Sequence, residues 1–349
     1  MYSLLRKALF IADPETAHGL ALEGLRLGHG VGATSILCKS VSEPVTAMGL
    51  TFPNAVGMAA GMDKNGDYID ALGSVGFGFV EIGTVTPRPQ PGNPKPRVFR
   101  IEQANAMINR LGFNNKGVDH LVRQAQTRKF KGVLGINIGK NFDTPNSNAV
   151  EDYLIGLDKV YAHADYITIN ISSPNTKGLR DLQDARQLEG LLGALNKRRK
   201  QLADQHGTRV PLVVKVAPDL EDQQIPQIAE VVVNCEFDGL IAGNTTISRD
   251  MIKGMPHADE QGGLSGAPVR EKANHVLAAF RSALPTSITL IGTGGIIDGE
   301  DAAEKIRLGA DLVQFYTGFV YRGPDLVADC AKAITAAITS TKASARAQK

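Results

Sequence analysis

Short apolar runs bounded by Gly, Pro and Asn recur along the chain, and eight of them read as buried β-strands. They are Ala55–Ala60, Phe79–Val85, Val133–Gly139, Tyr166–Ile171, Pro211–Val216, Gly239–Gly243, Thr289–Gly294 and Asp311–Phe315. Helix-like segments lie between them: Asp67–Gly76, Val150–His163, Gln187–Gln205, Ile225–Asn234, Pro268–Ala283 and Gly299–Gly309. Such alternation implies a parallel sheet, and eight repeats imply closure into an α/β (β/α)8 TIM barrel. The alternative is an open doubly wound sheet, which usually carries Gly-x-Gly-x-x-Gly after its first strand. Here Gly76-Phe77-Gly78 and Gly292-Thr293-Gly294 both lack the third Gly, and no Walker A sequence occurs.

Two segments fall outside the repeat. Residues 1–37 read as a two-helix amphipathic extension, with Asp13 placed to cap the second helix and Pro14 at its first position. Residues 86–113, with Pro87, Pro89, Pro91, Pro94 and Pro96, form a long insertion after the second strand. Insertions at that face of a barrel tend to build the active site. Residues 38–338 are thus assigned to the barrel, and the small, polar, basic stretch 339–349 to a disordered tail.

Composition narrows the chemistry. Lys+Arg number 38 and Asp+Glu 36 among 349 residues, which leaves no electrostatic footprint for nucleic acid. The densest basic run, Lys197-Arg198-Arg199-Lys200, is expected to be a solvated helix face. Cys38, Cys235 and Cys330 are far apart, and neither CxxC nor HExxH occurs, so no metal site and a reducing compartment are expected. No run approaches the roughly 20 apolar residues of a membrane span.

The strand ends hold the candidate site, because only there do barrel loops meet a common pocket. In order they carry Ala60-Gly61-Met62-Asp63-Lys64, Thr84, Asn137, Asn170 with Ser173 and Asn175, Lys215, Asn244-Thr245, Gly294-Gly295 and Tyr316-Thr317. Amides, hydroxyls and two Lys without paired carboxylates suit a planar, anionic, amide-rich ligand. They do not suit glycoside hydrolysis or a divalent metal. Lys215 sits in the apolar run Val213-Val214-Lys215-Val216, so it is either paired with an Asp in the barrel or opposes charge developing on a bound ring. The Gly-rich ends of strands seven and eight suit a phosphate. Ser173 lacks a Gly-x-Ser-x-Gly setting and a nearby His. As a base it would need an already acidified proton and an onward relay, for which Thr176 is a plausible link.

Several of these segments together resemble the dihydroorotate dehydrogenase family. They are Ala59-Ala60-Gly61-Met62-Asp63-Lys64-Asn65-Gly66, Glu81 to Asn93, Asn109 to Asn115, Gly135 to Asn141, Asn170 to Thr176 and Gly262 to Gly266. Ser173 at the base position, together with the N-terminal extension, resembles the membrane-associated, quinone-reducing class 2. The resemblance implies oxidation of dihydroorotate to orotate in pyrimidine biosynthesis, hydride passing from C6 to N5 of FMN while Ser173 removes the C5 proton. Thr176 and Phe113 would relay that proton. FMN would be held by Ala60, Gly61, Met62, Asp63, Lys64, Thr84, Asn137, Asn170, Lys215, Gly243, Gly266, Gly295, Tyr316 and Thr317. Dihydroorotate would be gripped by Lys64, Asn109, Arg110, Leu111, Gly112, Phe113, Asn170, Asn175, Asn244 and Thr245. Ubiquinone would reoxidise the flavin through a tunnel in the extension, near His18 and Arg100.

The apolar stripes Leu4, Leu5, Ala8, Leu9, Ile11, Ala17, Leu20, Ala21 and Leu25, with Arg6, Lys7 and Arg26, fit an interfacial segment. By resemblance the chain is a monomeric peripheral protein on the cytoplasmic face of a bacterial inner membrane. One departure is Gly243, where many members have Thr. The rivals are a flavin barrel acting on another pyrimidine and a non-catalytic membrane-docked scaffold.

Overall fold

The computed structural model describes residues 2–34, 38 and 40–347, with side chains described to residue 340. Helices α1 (Tyr2–Ile11) and α2 (Pro14–Gly30) precede a hairpin of β1 (Val45–Ala47) and β2 (Leu50–Phe52). The barrel starts with β3 (Val56–Met58) and β4 (Phe79–Val85). It is interrupted by β5 (Val98–Ile101) and β6 (Ala106–Asn109). It resumes with β7 (Val133–Ile138), β8 (Tyr166–Asn170), β9 (Leu212–Val216) and β10 (Gly239–Ala242). After β11 (Gly263–Gly266), which lies outside it, β12 (Thr289–Thr293) and β13 (Leu312–Phe315) complete the ring, and β13 pairs with β3.

All eight barrel pairings are parallel. The barrel strands are the eight expected runs, each within two residues of the expected ends. Their near-continuous apolar sequence follows from burial on both faces: every residue of β4, β7, β8 and β9 is buried. Aromatic rings fill the barrel's N-terminal end. A Cβ at Gly57 would lie 2.1 Å from the Phe79 ring, and Phe52 of the hairpin packs edge-on against Phe79 at 5.4 Å.

Three features differ from expectation. The insertion is not a plain loop: β5 and β6 pair antiparallel, and β11 joins them from more than 150 residues downstream, Leu264 opposite Ile108. The final helix, Asp325–Ala347, runs through most of the segment expected to be disordered, as its Ala-rich sequence favours. The basic run is not wholly solvated either. Arg199 is 1% exposed, donates to Asp238, Asn196 and the Glu236 carbonyl, and so ties its helix to the turn before β10.

The extension docks on the barrel through polar ties as well as through buried Ala17 and Leu22. Asp13 caps α2 by accepting from the N–H groups of Glu15 and Thr16. Tyr2 donates to the Val320 carbonyl, Arg6 to that of Tyr321, and Tyr68 to Glu23 at 2.7 Å. The expected boundary after residue 37 falls where residues 35–37 and 39 lie outside the described set. No helix among the described residues is long and apolar enough to cross a membrane.

Candidate active site

The loops at the C-terminal ends of the barrel strands, together with the three-stranded sheet, enclose about 1150 Å³ of empty space, the open mouth included. Of the expected residues, Ala60, Gly61, Lys64, Thr84, Asn109, Leu111, Gly112, Phe113, Asn170 and Ser173 line it. So do Asn175, Lys215, Asn244, Thr245, Gly266, Gly295, Tyr316 and Thr317. Met62, Asp63, Asn137, Gly243, Arg110, Thr176, His18 and Arg100 do not.

Most of that second group brace the walls. Asp63 accepts from the N–H groups of Asn65, Asp67 and Tyr68, closing the turn after β3, while burial pushes its carboxyl up to about 6. The Arg110 guanidinium is turned to Glu260, Gln261 and Pro96 and lies over Phe99, away from the cavity that its neighbours Asn109 and Leu111 line. Gly243 has φ +113°, and a Cβ there would lie 2.9 Å from the Thr293 carbonyl, so the backbone as folded suits glycine. Arg100 donates to the carbonyls of Phe10 and Ala12 and lies over the Phe10 ring, fixing the turn between α1 and α2. His18 stacks on Tyr316, which itself lines the cavity. Burial, with Lys64 nearby, pushes the imidazole down to about 3, so it is neutral at working pH.

A continuous polar chain crosses the barrel mouth. Glu81 accepts from Tyr166, Thr168 and Asn137. Thr84 donates to Asn137 Oδ1 at 2.6 Å and accepts from Asn170 Nδ2 at 2.8 Å. The N–H and hydroxyl of Ser172 both donate to Asn170 Oδ1, and the hydroxyl accepts from Asn244 Nδ2 at 2.7 Å. A backbone N–H can only donate, so this chain sets which way the amides of Asn170 and Asn244 face. Arg180 holds the same loops from behind, donating to the carbonyls of Ser172 and Thr245 while paired with Asp219 at 2.8 Å. Neither Ser172 nor Arg180 stood out in the sequence; a Ser in a turn and an Arg on a short helix carry no signal until their partners are known.

Two cations face the cavity. Lys64 donates to the Gly61 carbonyl and is pushed down to about 8 by burial, with Glu15 and Asp63 pulling the other way. Lys215 is 4% exposed, and its ammonium makes no hydrogen bond or ion pair among the described residues. Burial lowers its pKa, and Glu81 opposes that shift. The Lys–Asp pair allowed by the sequence does not occur among the described residues. Ser173 is 7% exposed, and its Oγ accepts from the Asn175 N–H at 3.2 Å. Among the described residues, no Asp, Glu or His lines the cavity. The hydroxyls of Thr245 and Thr176 are buried without a partner. At the opposite end, Gly266, Gly294 and Gly295 have φ of +98°, +91° and +81°. A Cβ on Gly295 would lie 2.4 Å from Arg270 Cα, so that rim is bare backbone by necessity.

With this geometry in hand, the comparisons decide the family. The dihydroorotate dehydrogenase family profile matches residues 43–338. The chain belongs to the dihydroorotate dehydrogenase family. It is 56% identical over 337 residues to a dihydroorotate dehydrogenase (quinone) of Azotobacter vinelandii, covering 96% of this chain and 97% of that protein. A protein of the same name from Pseudomonas fluorescens is 55% identical, with 96% and 99% covered. Among solved structures, the Eimeria tenella enzyme in complex with ferulenol superposes with a TM-score of 0.85 at 36% identity, covering 95% of this chain and 93% of that one. Within the family frame, Val98, Met107 and Ser265 from the three-stranded sheet are cavity residues that sequence reasoning missed. Their signal lay in a pairing between distant segments.

Proposed function

We propose that the chain oxidises dihydroorotate to orotate in pyrimidine biosynthesis, with a membrane quinone as final acceptor. The observation that carries this reading is the cavity itself: the buried Lys215 and the half-buried Lys64, a fixed set of amides, Ser173, and, among the described residues, no acidic or imidazole side chain. Family membership and the quinone-linked names of the relatives support it.

FMN fits the residues present. The glycine rim offers accessible backbone for its phosphate, and the Lys215 ammonium has no hydrogen-bond or ion-pair partner among the described residues. When bound, FMN supplies the two-electron acceptor that takes the C6 hydride and passes the electrons to the quinone. Ala60, Gly61, Lys64, Thr84, Asn170, Lys215, Gly266, Gly295, Tyr316 and Thr317 hold it, while Met62, Asp63, Asn137 and Gly243 act by shaping the walls. Asn109, Leu111, Gly112, Phe113, Asn175, Asn244 and Thr245 surround the pyrimidine, and Lys64 offsets its carboxylate. Ser173 takes the C5 proton, and the relay that the family resemblance implies, through Thr176 and Phe113, carries it away. The ring's carbonyls and N–H groups meet amides whose orientation Ser172 has already set.

The extension serves the quinone. Leu4, Leu5, Ile11, Leu20, Leu27 and Val31 are six of the large apolar side chains left exposed, all on or beside α1 and α2. They suit shallow insertion at a membrane surface, with Arg6, Lys7 and Arg26 beside them, and so a peripheral protein, for which the family resemblance implies the cytoplasmic face. His18, neutral and stacked on Tyr316, stands where a quinone head would approach. Arg100 shapes that approach by holding the α1–α2 turn.

Anaerobic mixing with dihydroorotate should bleach the flavin, and quinone-loaded vesicles that carry the protein down on centrifugation should restore its colour. Bleaching without recovery would move the acceptor elsewhere; no bleaching would remove the pyrimidine reading. A further expectation concerns pH. Lys64 is charged below about 8 and neutral above it, so orotate affinity should be full at neutral pH and decline as pH rises through about 8. Calorimetric titration from about pH 6.5 to about 9.5 checks this. A flat profile would release Lys64 from the role of anion anchor.

A further inference from the structure

Helix α2 reaches the pyrimidine wall through a mostly buried ion pair. Arg97 is 7% exposed, and its Nε and Nη2 donate to the two carboxylate oxygens of Glu15, each at 3.0 Å. This is the paired-fork geometry that favours Arg over Lys. The remaining nitrogen, Nη1, donates to the carbonyls of Pro91 and Asn93, both at 2.7 Å. Asn93 passes the constraint on: its N–H donates to the Leu111 carbonyl and its Nδ2 to the Arg110 carbonyl. Gly112 packs so tightly on Asn93 that a Cβ there would lie 2.9 Å from its Cγ. The Arg97 carbonyl also accepts the Arg110 N–H at 2.9 Å.

Every link therefore ends on residues 110–112, of which Leu111 and Gly112 line the cavity, while Arg97 and Glu15 do not. Glu15 is itself seated independently, by the Asp13 cap and by the positive end of α2.

We propose that Arg97, seated by Glu15 of the extension, is a positioning residue for the pyrimidine pocket, so that the extension shapes substrate binding as well as serving the acceptor. The proposal rests on the reading that this wall contacts dihydroorotate and orotate. Its mechanism is indirect: the Glu15–Arg97 pair fixes loop 91–93, and that loop fixes the backbone at Leu111 and Gly112. A Lys at 97 would keep the charge but could not make both the fork and the two carbonyl contacts.

The test is calorimetric binding of orotate to the full-length flavoprotein as wild type, Arg97→Lys, Glu15→Gln and the double variant. Each single change should weaken orotate about tenfold, and the double no further than the weaker single, since the pair acts as one unit. Flavin content, and quinone reoxidation of protein reduced with dithionite, should stay at wild-type levels. Wild-type affinity in both single variants would overturn the proposal, as would fully additive losses. Parallel loss of flavin or of reoxidation would overturn it too, by making the pair a general brace. Glu15→Gln keeps size and shape, so the test stands even where Arg97→Lys folds poorly. Wild-type protein that fails to bind orotate would instead remove the underlying reading of the pocket, and the proposal with it.

Discussion

Replacing Ser173 by Ala is expected to slow flavin reduction by dihydroorotate by about two to four orders of magnitude, the range for loss of a general base. The cavity leaves few other candidates. Among the described residues it contains no carboxylate and no imidazole, and its two ammonium groups repel a proton rather than take one. Ser173 sits beside Asn175, which bridges to Asn109, so its hydroxyl lies among the residues assigned to the pyrimidine. A hydroxyl is a weak base, so the proposed role requires Lys64 and the surrounding amides to acidify the C5 proton through the substrate's own charge distribution. Flavin content should not change, since the Ser173 hydroxyl is bonded only locally among the described residues, accepting from the Asn175 N–H. Stopped-flow bleaching under anaerobic conditions measures the effect. A rate within about threefold of wild type would remove Ser173 from proton transfer, because a lost base cannot be that cheap.

The barrel was legible because buried parallel strands read as apolar runs, and because their C-terminal ends must converge. That is why Thr84, Asn170, Lys215 and Asn244 could be placed together from a chain in which they lie up to 160 residues apart. The sheet of β5, β6 and β11 was not legible. Its strands are only four residues long, and β11 lies more than 150 residues downstream of the β6 residues it pairs with. Residues whose role is to hold other residues were also hidden. Arg97, Arg180 and Ser172 look ordinary in sequence, and each acquires a function only through the carbonyl or amide it meets. Arg199 shows the converse: a charge in a basic run looks solvated until its partner Asp238 is seen to arrive from another turn.

Lys215→Met is expected to separate two quantities that usually fall together. Flavin reduction should slow by about 10²–10³, the range for removing one preorganised group aimed at developing charge. The melting temperature of the flavin-free protein should stay level or rise. The second expectation follows from what surrounds the ammonium. It is buried, it has no hydrogen-bond or ion-pair partner among the described residues, and the carboxylate that acts on it, Glu81, already accepts from three other donors. An uncompensated buried cation opposes folding, so exchanging it for an unbranched apolar chain of similar length relieves that cost. A fold keeps such a group where a ligand supplies the missing negative charge, which is also why burial lowers its pKa in the empty pocket and a bound anion would raise it again. Calorimetric melting of the flavin-free protein and stopped-flow reduction of the flavin-bound one decide the matter. A variant that melts clearly lower yet turns over normally would make Lys215 a structural cation of the barrel. The developing charge would then have no counterpart at the end of β9.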